Sequence, residues 1–504
     1  MEYDYTIITD AAKDFDHILD AGAGLYLKSI KTPGAPFIRP AFGLSLQPLR
    51  PNRVACLADM SCAANSSAKY TDFPVLVDRD FVDVMKAFFV SSFQKAKAAP
   101  QKLVNIGSRS ADSLDDSPHV TRAMLSGMDP TIVALAWACA PQHDIFASTR
   151  RRWLRKTCFT AEGTAEMSQK VHQVMKEFLL SDLFLTLLPK AKSLWEYRQW
   201  LCCNIRNCGL LIDDPEGVDE AALPACRFEA QDDQLFFMAA HSHPMNYNAW
   251  HYRRLRFRTL HSNTSSTREG CDSACDAIRV DSEKVIQFTR EHNSDGSATS
   301  YLLFLLQEQE DLDRKADVSL LEAELLAKGT GQADAKPLRS RLQEGPNASK
   351  DDGSGRCVSE SFPSIRLAPA LWRSFMAVTQ AEIRLHSEKG HECMWHLRLG
   401  LVQWACTRSP HHRVLSLWSA EDELRWVSAY AGLHLLDSAH ALLSPVTGLP
   451  HAWSESSGSP AWTSFNAARY GCQLAAILLD TSSRASPSVA SDRKAFLLPS
   501  LGLP

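Results

Sequence analysis

The chain has 504 residues, of which 45% are hydrophobic and 22% charged, and its net charge is −4. These are the proportions of an ordinary globular protein, and the mild acidity removes any global case for binding nucleic acid or an anionic membrane. The 14 cysteines form no zinc pattern. Cys202, Cys203 and Cys208 lack a second Cys-x2-Cys, and Cys271-x3-Cys275 sits in a Ser/Thr-rich stretch. Met1 to Tyr5 carries no basic region leading into an apolar one, and no apolar run reaches the roughly 18 residues of a membrane span. Free thiols in such a chain predict a reducing, cytoplasmic setting.

In chain order, residues 1–119 form a poorly assigned N-terminal region. Asp10 to Ile30 reads as a short helix, and Pro33, Pro36, Pro40, Pro48 and Pro51 then interrupt any long element. Asp78 to Lys97 is a better helix, with Phe81, Val84, Met85, Phe88 and Phe89 at helical spacing. Residues 105–118 are a Ser/Asp-rich loop, and Thr131 to Ala140 is an apolar helical run ended by Pro141.

From there to about residue 480 the chain is periodic. The motif is clearest in His243 to Arg254, where Pro244 is followed by Trp250 six residues on and Arg253 nine residues on. Asn246 is placed to cap a helix that puts Trp250 and Arg253 on one face, where they can stack as a cation–π pair. Pro189, Trp195 and Arg198 repeat the frame, and Trp395 and Arg398 repeat it after Gly390. Ala147 stands at the Trp position of a first copy, with Arg150 and Arg151 after it; in a fourth copy Thr299 and Leu302 replace Trp and Arg. Ala147, Trp195, Trp250, Thr299 and Trp395 are spaced by 48, 55, 49 and 96 residues. The last interval is doubled by a polar insertion, assigned to about 310–360 with its core at Gly329 to Arg356 and expected to be disordered. The 55-residue interval contains a Pro- and Asp-containing connection, Ile212 to Cys226, and Ser262 to Ser273 reads as another polar loop.

A helical segment precedes each motif: Met167 to Leu187, Glu229 to Ala240, Ala277 to Glu291 and Leu371 to Ser387. Each motif opens a second helix, and no strand is expected after residue 120. The predicted fold class is therefore all-α, an α-α superhelix of about five helical hairpins, because one hairpin cannot bury its apolar face alone. Ala420 to Leu443 and Ala461 to Leu479 cap or extend the array, and residues 481–504 are a flexible tail. The motif Trp and Arg residues are assigned to packing, the arginines bonding free carbonyls at the ends of neighbouring helices. Two basic runs, Arg150 to Lys156 and Arg253 to Arg258, are either solvated helix faces or a surface for an acidic or phosphate-bearing partner.

Catalytic constellations are absent from the sequence. His241 and His243, His411 and His412, and His391 beside Glu392 lack the paired helical spacing of a zinc site, and no phosphate-binding glycine loop or nucleophile elbow occurs. No metal ligand is assigned.

The pattern Pro-x-Asn-Tyr-x-x-Trp-x-x-Arg-Arg, at roughly 50-residue intervals over about residues 120–480, resembles the alpha-subunit repeat of protein prenyltransferases. It is closest to the divergent branch of alpha-subunit repeat-containing proteins. The resemblance implies a crescent of helical hairpins wrapped around a beta subunit. That partner, of the Rab geranylgeranyltransferase type, carries the zinc and the isoprenoid diphosphate, so no cofactor is expected on this chain alone. The pair transfers a geranylgeranyl group to cysteines near the C-terminus of a protein substrate, making this chain the non-zinc-binding, alpha-type subunit of a transferase, inactive by itself. Lys190 holds the place of the family's diphosphate-contacting lysine, and an ammonium there suits the charge developing on the leaving group. Lys192 stands where the family has Tyr. Asn246 and Tyr247 match the partner-facing loop of the third repeat. Ala147, Thr299 and Leu302 depart from the signature and imply that the first and fourth units either pack more loosely or bind the partner differently.

Two other classes remain open. One is a non-enzymatic helical-repeat adaptor, although the intervals do not fit a 34-residue tetratricopeptide repeat. The other is an RNA-binding helical array, resting on the two basic runs alone.

Overall fold

A computed structural model describes residues 5–32, 35, 37–45, 54–56, 70–98, 125, 127–141, 143–159, 166–212, 223–261, 268–328, 367–386, 392–408, 419–431, 466–467, 469–474 and 476–477. It is predominantly helical and divides into two compact units, Met1–Ser262 and Asn263–Pro504.

The first unit opens with helix α1, Tyr5–Lys31. Ile8, Ala12, Phe15, Leu19, Ala23, Tyr26 and Ile30 recur at steps of three and four, and all are buried. Three strands follow: β1, Phe37–Ser45; β2, Val54–Cys56; and β3, Tyr70–Asp78. They form one sheet in the order β1-β3-β2. β1 runs parallel to β3, from Phe37 opposite Tyr70 to Ser45 opposite Asp78, and β2 is antiparallel to β3. The expected helical class holds for most of the described elements, and this sheet is an addition to it ahead of the hairpins. Pro40, read as a breaker, lies inside β1, an edge strand, where a residue with no N–H leaves no ladder partner stranded if its bare side faces away from the sheet. Helix α2, Arg79–Ala98, continues directly from β3.

Three hairpins complete the unit. They are α3, Pro130–Cys139, with α4, Asp144–Leu154; α5, Met167–Leu187, with α6, Lys192–Asn207; and α7, Ala225–Ser242, with α8, Tyr247–His261. Asp129 starts α3 by accepting from Thr131 N at 2.7 Å, with Pro130 in the first turn where its missing N–H is harmless. A π-helical turn, Arg155–Phe159, ends α4. Helix α1 packs across the first helix of each hairpin, α3, α5 and α7, while the second helices α6 and α8 pack along one another. Helix α5 consequently has buried residues on every face, Val171, Phe178, Leu180 and Asp182 among them. The N-terminal region is thus built into the repeats rather than set apart from them at residue 119.

Lys176 of α5 is held between Asp16 at 2.6 Å and Asp20 at 2.7 Å of α1. Arg227 of α7 donates to the carbonyls of Ser29, Thr32 and Ala35 at 2.7, 3.2 and 3.3 Å, closing the C-terminal end of α1. The connection between the second and third hairpins contains two short parallel strands, β4, Leu211–Ile212, and β5, Leu223–Pro224, where no strand was expected.

The second unit contains α9, Arg268–Glu291, with α10, Gly296–Lys328; α11, Ala368–Leu385, with α12, Glu392–Arg408; then α13, Ala420–Ala431, and helical residues within 466–477. Two boundaries differ from the sequence reading. Helix α9 begins inside the supposed 262–273 loop, and α10 runs to Lys328, so the insertion assigned to 310–360 starts on a helix. The reason is visible at Glu310 and Asp313, polar residues that face packed helices: Glu310 accepts from Trp404 Nε1 at 2.8 Å and Asp313 from the Ala368 backbone at 2.8 Å. Gly400 of α12 lies directly against Leu303 of α10, and a Cβ there would come within 2.5 Å of it. Residues 105–118, most of the insertion, the end of the 420–443 segment, the start of the 461–479 segment and the 481–504 tail lie outside the described residues. No helix among the described residues is long and apolar enough to cross a membrane.

Candidate functional site: the hairpin turns

The motif tryptophans and arginines are core residues. Trp195, Trp250 and Trp395 are buried, and so are Arg198, Arg253 and Arg398. The arginines chiefly meet carboxylates, not helix-end carbonyls. Arg198 is bracketed by Asp182 of its own hairpin and by Asp232 of the next, at 2.7 Å from the latter. Arg253 pairs with Asp233 at 3.1 Å and lies over the rings of Phe236 and Phe237. Arg398 meets Glu423 at 2.5 Å, with its guanidinium 3.9 Å over Trp426. A buried guanidinium requires such partners, since removing the charge from water is repaid only by close opposite charge. The helix-end role falls to Arg227 instead.

A second regularity runs through the hairpins. Two residues after the Trp position, a tyrosine donates to a carboxylate 20 residues upstream, on the first helix of the same hairpin. Tyr197 meets Glu177 at 2.6 Å, Tyr252 meets Asp232 at 2.8 Å, and Tyr301 meets Asp281 at 2.5 Å. The recurring spacing from acid to tyrosine was the available signal. In the fourth hairpin Thr299 and Leu302 are buried beside Tyr301, so loss of Trp and Arg has not loosened it. In the first hairpin Arg150 is buried against Glu177, although Ala147 replaces the Trp.

The turns between helices carry the candidate site. Trp195 Nε1 donates to the Pro189 carbonyl at 2.7 Å, which explains the six-residue step from Pro to Trp. Asn246 caps α8 as expected, accepting from Ala249 N at 3.2 Å, and its Nδ2 donates to the same Pro189 carbonyl at 2.5 Å. Asn248 Nδ2 donates to the Lys190 carbonyl at 2.8 Å. Neighbouring turns are therefore stapled together. The second unit uses the same positions: Cys393, two before Trp395, donates to the carbonyl of Ser294, five before Thr299, at 3.0 Å. Asp295 caps α10 through Ser297 N and Ala298 N.

Around this staple the predicted residues separate. Lys190 is exposed at the turn. Lys192 is exposed and pairs with Glu196 at 3.4 Å, one helical turn on. Helix α6 follows Ala191, whose side chain offers its first N–H groups no cap. Tyr247 is 63% exposed and stacks on His251. Met245, 61% exposed, takes a left-handed φ of 58° to bring the chain into the cap. Asn246, expected to face a partner, is buried: both ends of its amide are used within the fold.

The basic runs are split by the helical period. Arg150 and Arg256 point inward to Glu177 and to Asp232 and Asp233, whereas Arg152, Arg155, Lys156 and Arg258 are exposed. Arg151 and Arg155 lie over Trp200. Burial pushes the Cys202 thiol up to about 12, and burial together with Asp295 and Glu392 pushes Cys393 up to about 11, so neither is a ready nucleophile at neutral pH.

Comparison of the sequence with protein-family models and with curated proteins finds no match.

Proposed function

We propose that the chain is the alpha-type, scaffolding subunit of a protein prenyltransferase, its hairpins stacked as an α-α superhelix around a beta subunit. In this reading the partner holds zinc and a geranylgeranyl diphosphate. A protein cysteine sulfur forms a bond to the first isoprenoid carbon as that carbon's bond to oxygen breaks, and diphosphate leaves with the electron pair. Lys190 of this chain meets the leaving diphosphate. The observation that carries the reading is the turn before α6. There an exposed lysine, with Lys192 beside it, stands at a helix N-terminus that has no side-chain cap, on a backbone held by side-chain amides from the next hairpin. Such a terminus favours anions through its unpaired N–H groups and dipole. Cytoplasmic placement and a C-terminal cysteine substrate belong to the same proposal.

Co-expression with a Rab-type beta subunit, followed by affinity capture and a transfer assay with geranylgeranyl diphosphate, tests it. The expected result is a stable heterodimer with transfer activity. Lys190→Ala should lower kcat on the order of 10- to 100-fold while leaving assembly unchanged, as for loss of one charge-stabilising donor. A chain that neither binds the beta subunit nor supports transfer sinks the proposal. The adaptor reading draws on the exposed Met245 and Tyr247 at the same turns. It predicts protein binding through these two residues that Lys190→Ala leaves intact.

A further inference from the structure

We infer that Asn248 is a positioning residue for Lys190. This rests on the transferase reading above and adds a residue to it. Asn246 is fully used, capping α8 with its oxygen and holding the Pro189 carbonyl with its nitrogen. Trp195 Nε1 shares that carbonyl. These two contacts fix Pro189 and complete the join between the hairpins. Asn248 does not cap α8, and its side chain donates to the carbonyl of Lys190 at 2.8 Å. That bond holds the peptide leading out of Lys190, while the lysine side chain stays exposed. It orients the Cα–Cβ direction along which the ammonium is presented, at the open N-terminus of α6.

The second unit supplies the contrast. At the matching position Cys393 bonds the Ser294 carbonyl at 3.0 Å, with a thiol as donor and no lysine at the acceptor. A thiol is a weak donor, enough to join two turns. The stronger amide stands where the acceptor residue is Lys190. An orientation error of a fraction of an ångström in a charge-stabilising group costs rate rather than affinity, because the charge it meets is largest in the transition state.

The test uses the complex of the full chain with the beta subunit and geranylgeranyl diphosphate as substrate. Four chains are compared: unaltered, Asn248→Ala, Lys190→Ala and the double variant. Asn248→Ala should lower kcat about tenfold with KM nearly unchanged, the scale of one hydrogen bond plus misplacement. It should add almost nothing in the Lys190→Ala background, since a residue acting through Lys190 is silent once Lys190 is gone. A purely structural role would lower both backgrounds by the same factor, and that result overturns the proposal, as does an unchanged kcat in Asn248→Ala. Hydrogen exchange on the chain alone gives a readout independent of activity. The peptide spanning residues 188–195 should exchange faster in Asn248→Ala, and unchanged protection overturns the proposal. An active complex in which Lys190→Ala is silent, or a complex with no transfer at all, overturns the transferase reading and the role of Asn248 within it. Loss in Lys190→Ala without loss in Asn248→Ala removes the positioning role alone.

Discussion

Arg198 sits fully buried between two carboxylates that do not titrate alike. Burial would raise Asp232, but Arg198 and Arg256 together hold it below the usual range. Asp182 is raised to about 6, chiefly by burial, opposed by Arg198 and by the 2.5 Å hydrogen bond from Tyr26. A carboxyl whose folded pKa lies above the ordinary 3.8 binds its proton more tightly in the folded chain. Its stabilising contribution is complete below about pH 4 and is lost as the pH rises through about 6, a change of up to about 3 kcal/mol. The stability difference between the unaltered chain and Asp182→Asn, from urea unfolding at pH 4 and pH 6.5, should therefore move against the unaltered chain as the pH rises; a pH-independent difference contradicts this. At this scale the sequence was half legible. Burial of Trp195, Trp250, Arg198 and Arg253 followed from periodicity. Their carboxylate partners did not, because which acid faces which arginine depends on how separate helices meet.

Among the elements, α6 shows how local signals end a helix. Gly209 adopts a left-handed φ of 66°, Gly209 N bonds the Arg206 carbonyl at 3.1 Å, and Leu210 N bonds the Ile205 carbonyl at 2.9 Å. This is the Schellman closure, which satisfies the last free carbonyls and disfavours any residue with a Cβ at that glycine. Gly209→Ala should cost about 1 kcal/mol, read as a lower denaturant midpoint with unchanged slope. An unaltered midpoint would mean the turn relaxes freely. Helices α3, α5, α6, α8 and α12 were all readable from apolar spacing and caps. The short pair β4 and β5 and the sheet β1-β3-β2 were not, since proline-rich segments signal interruption and give no pairing partner. The end of α10 is not legible in the sequence, because its polar residues look solvated there yet bond packed helices.

For the whole molecule the consequential element is α1. Its buried stripe of seven residues lies across the first helices of three hairpins, and each large apolar side chain so buried contributes about 1.5–3 kcal/mol. Their sum is comparable to the entire stability of a domain, about 5–15 kcal/mol. A chain lacking residues 1–32 should lose cooperative unfolding of the first unit and aggregate on expression, with Lys176 left buried without Asp16 and Asp20. A soluble truncated chain with the melting behaviour of the parent would show that the hairpins stand without it.

The sequence by itself determined the repeated helix–turn–helix unit, its Trp and Arg core positions and the cap at Asn246, because each is written within one hairpin at fixed spacing. It left undecided what lies on the repeats. Only the tertiary structure assigned α1 to the layer of first helices, matched Arg198 to Asp182 and Asp232, buried Asn246 and exposed Tyr247, and stapled one turn to the next through Asn248. Contacts between separate helices, 16 to 198 residues apart along the chain, are set by packing and burial, which helical periodicity along a single stretch of sequence does not encode.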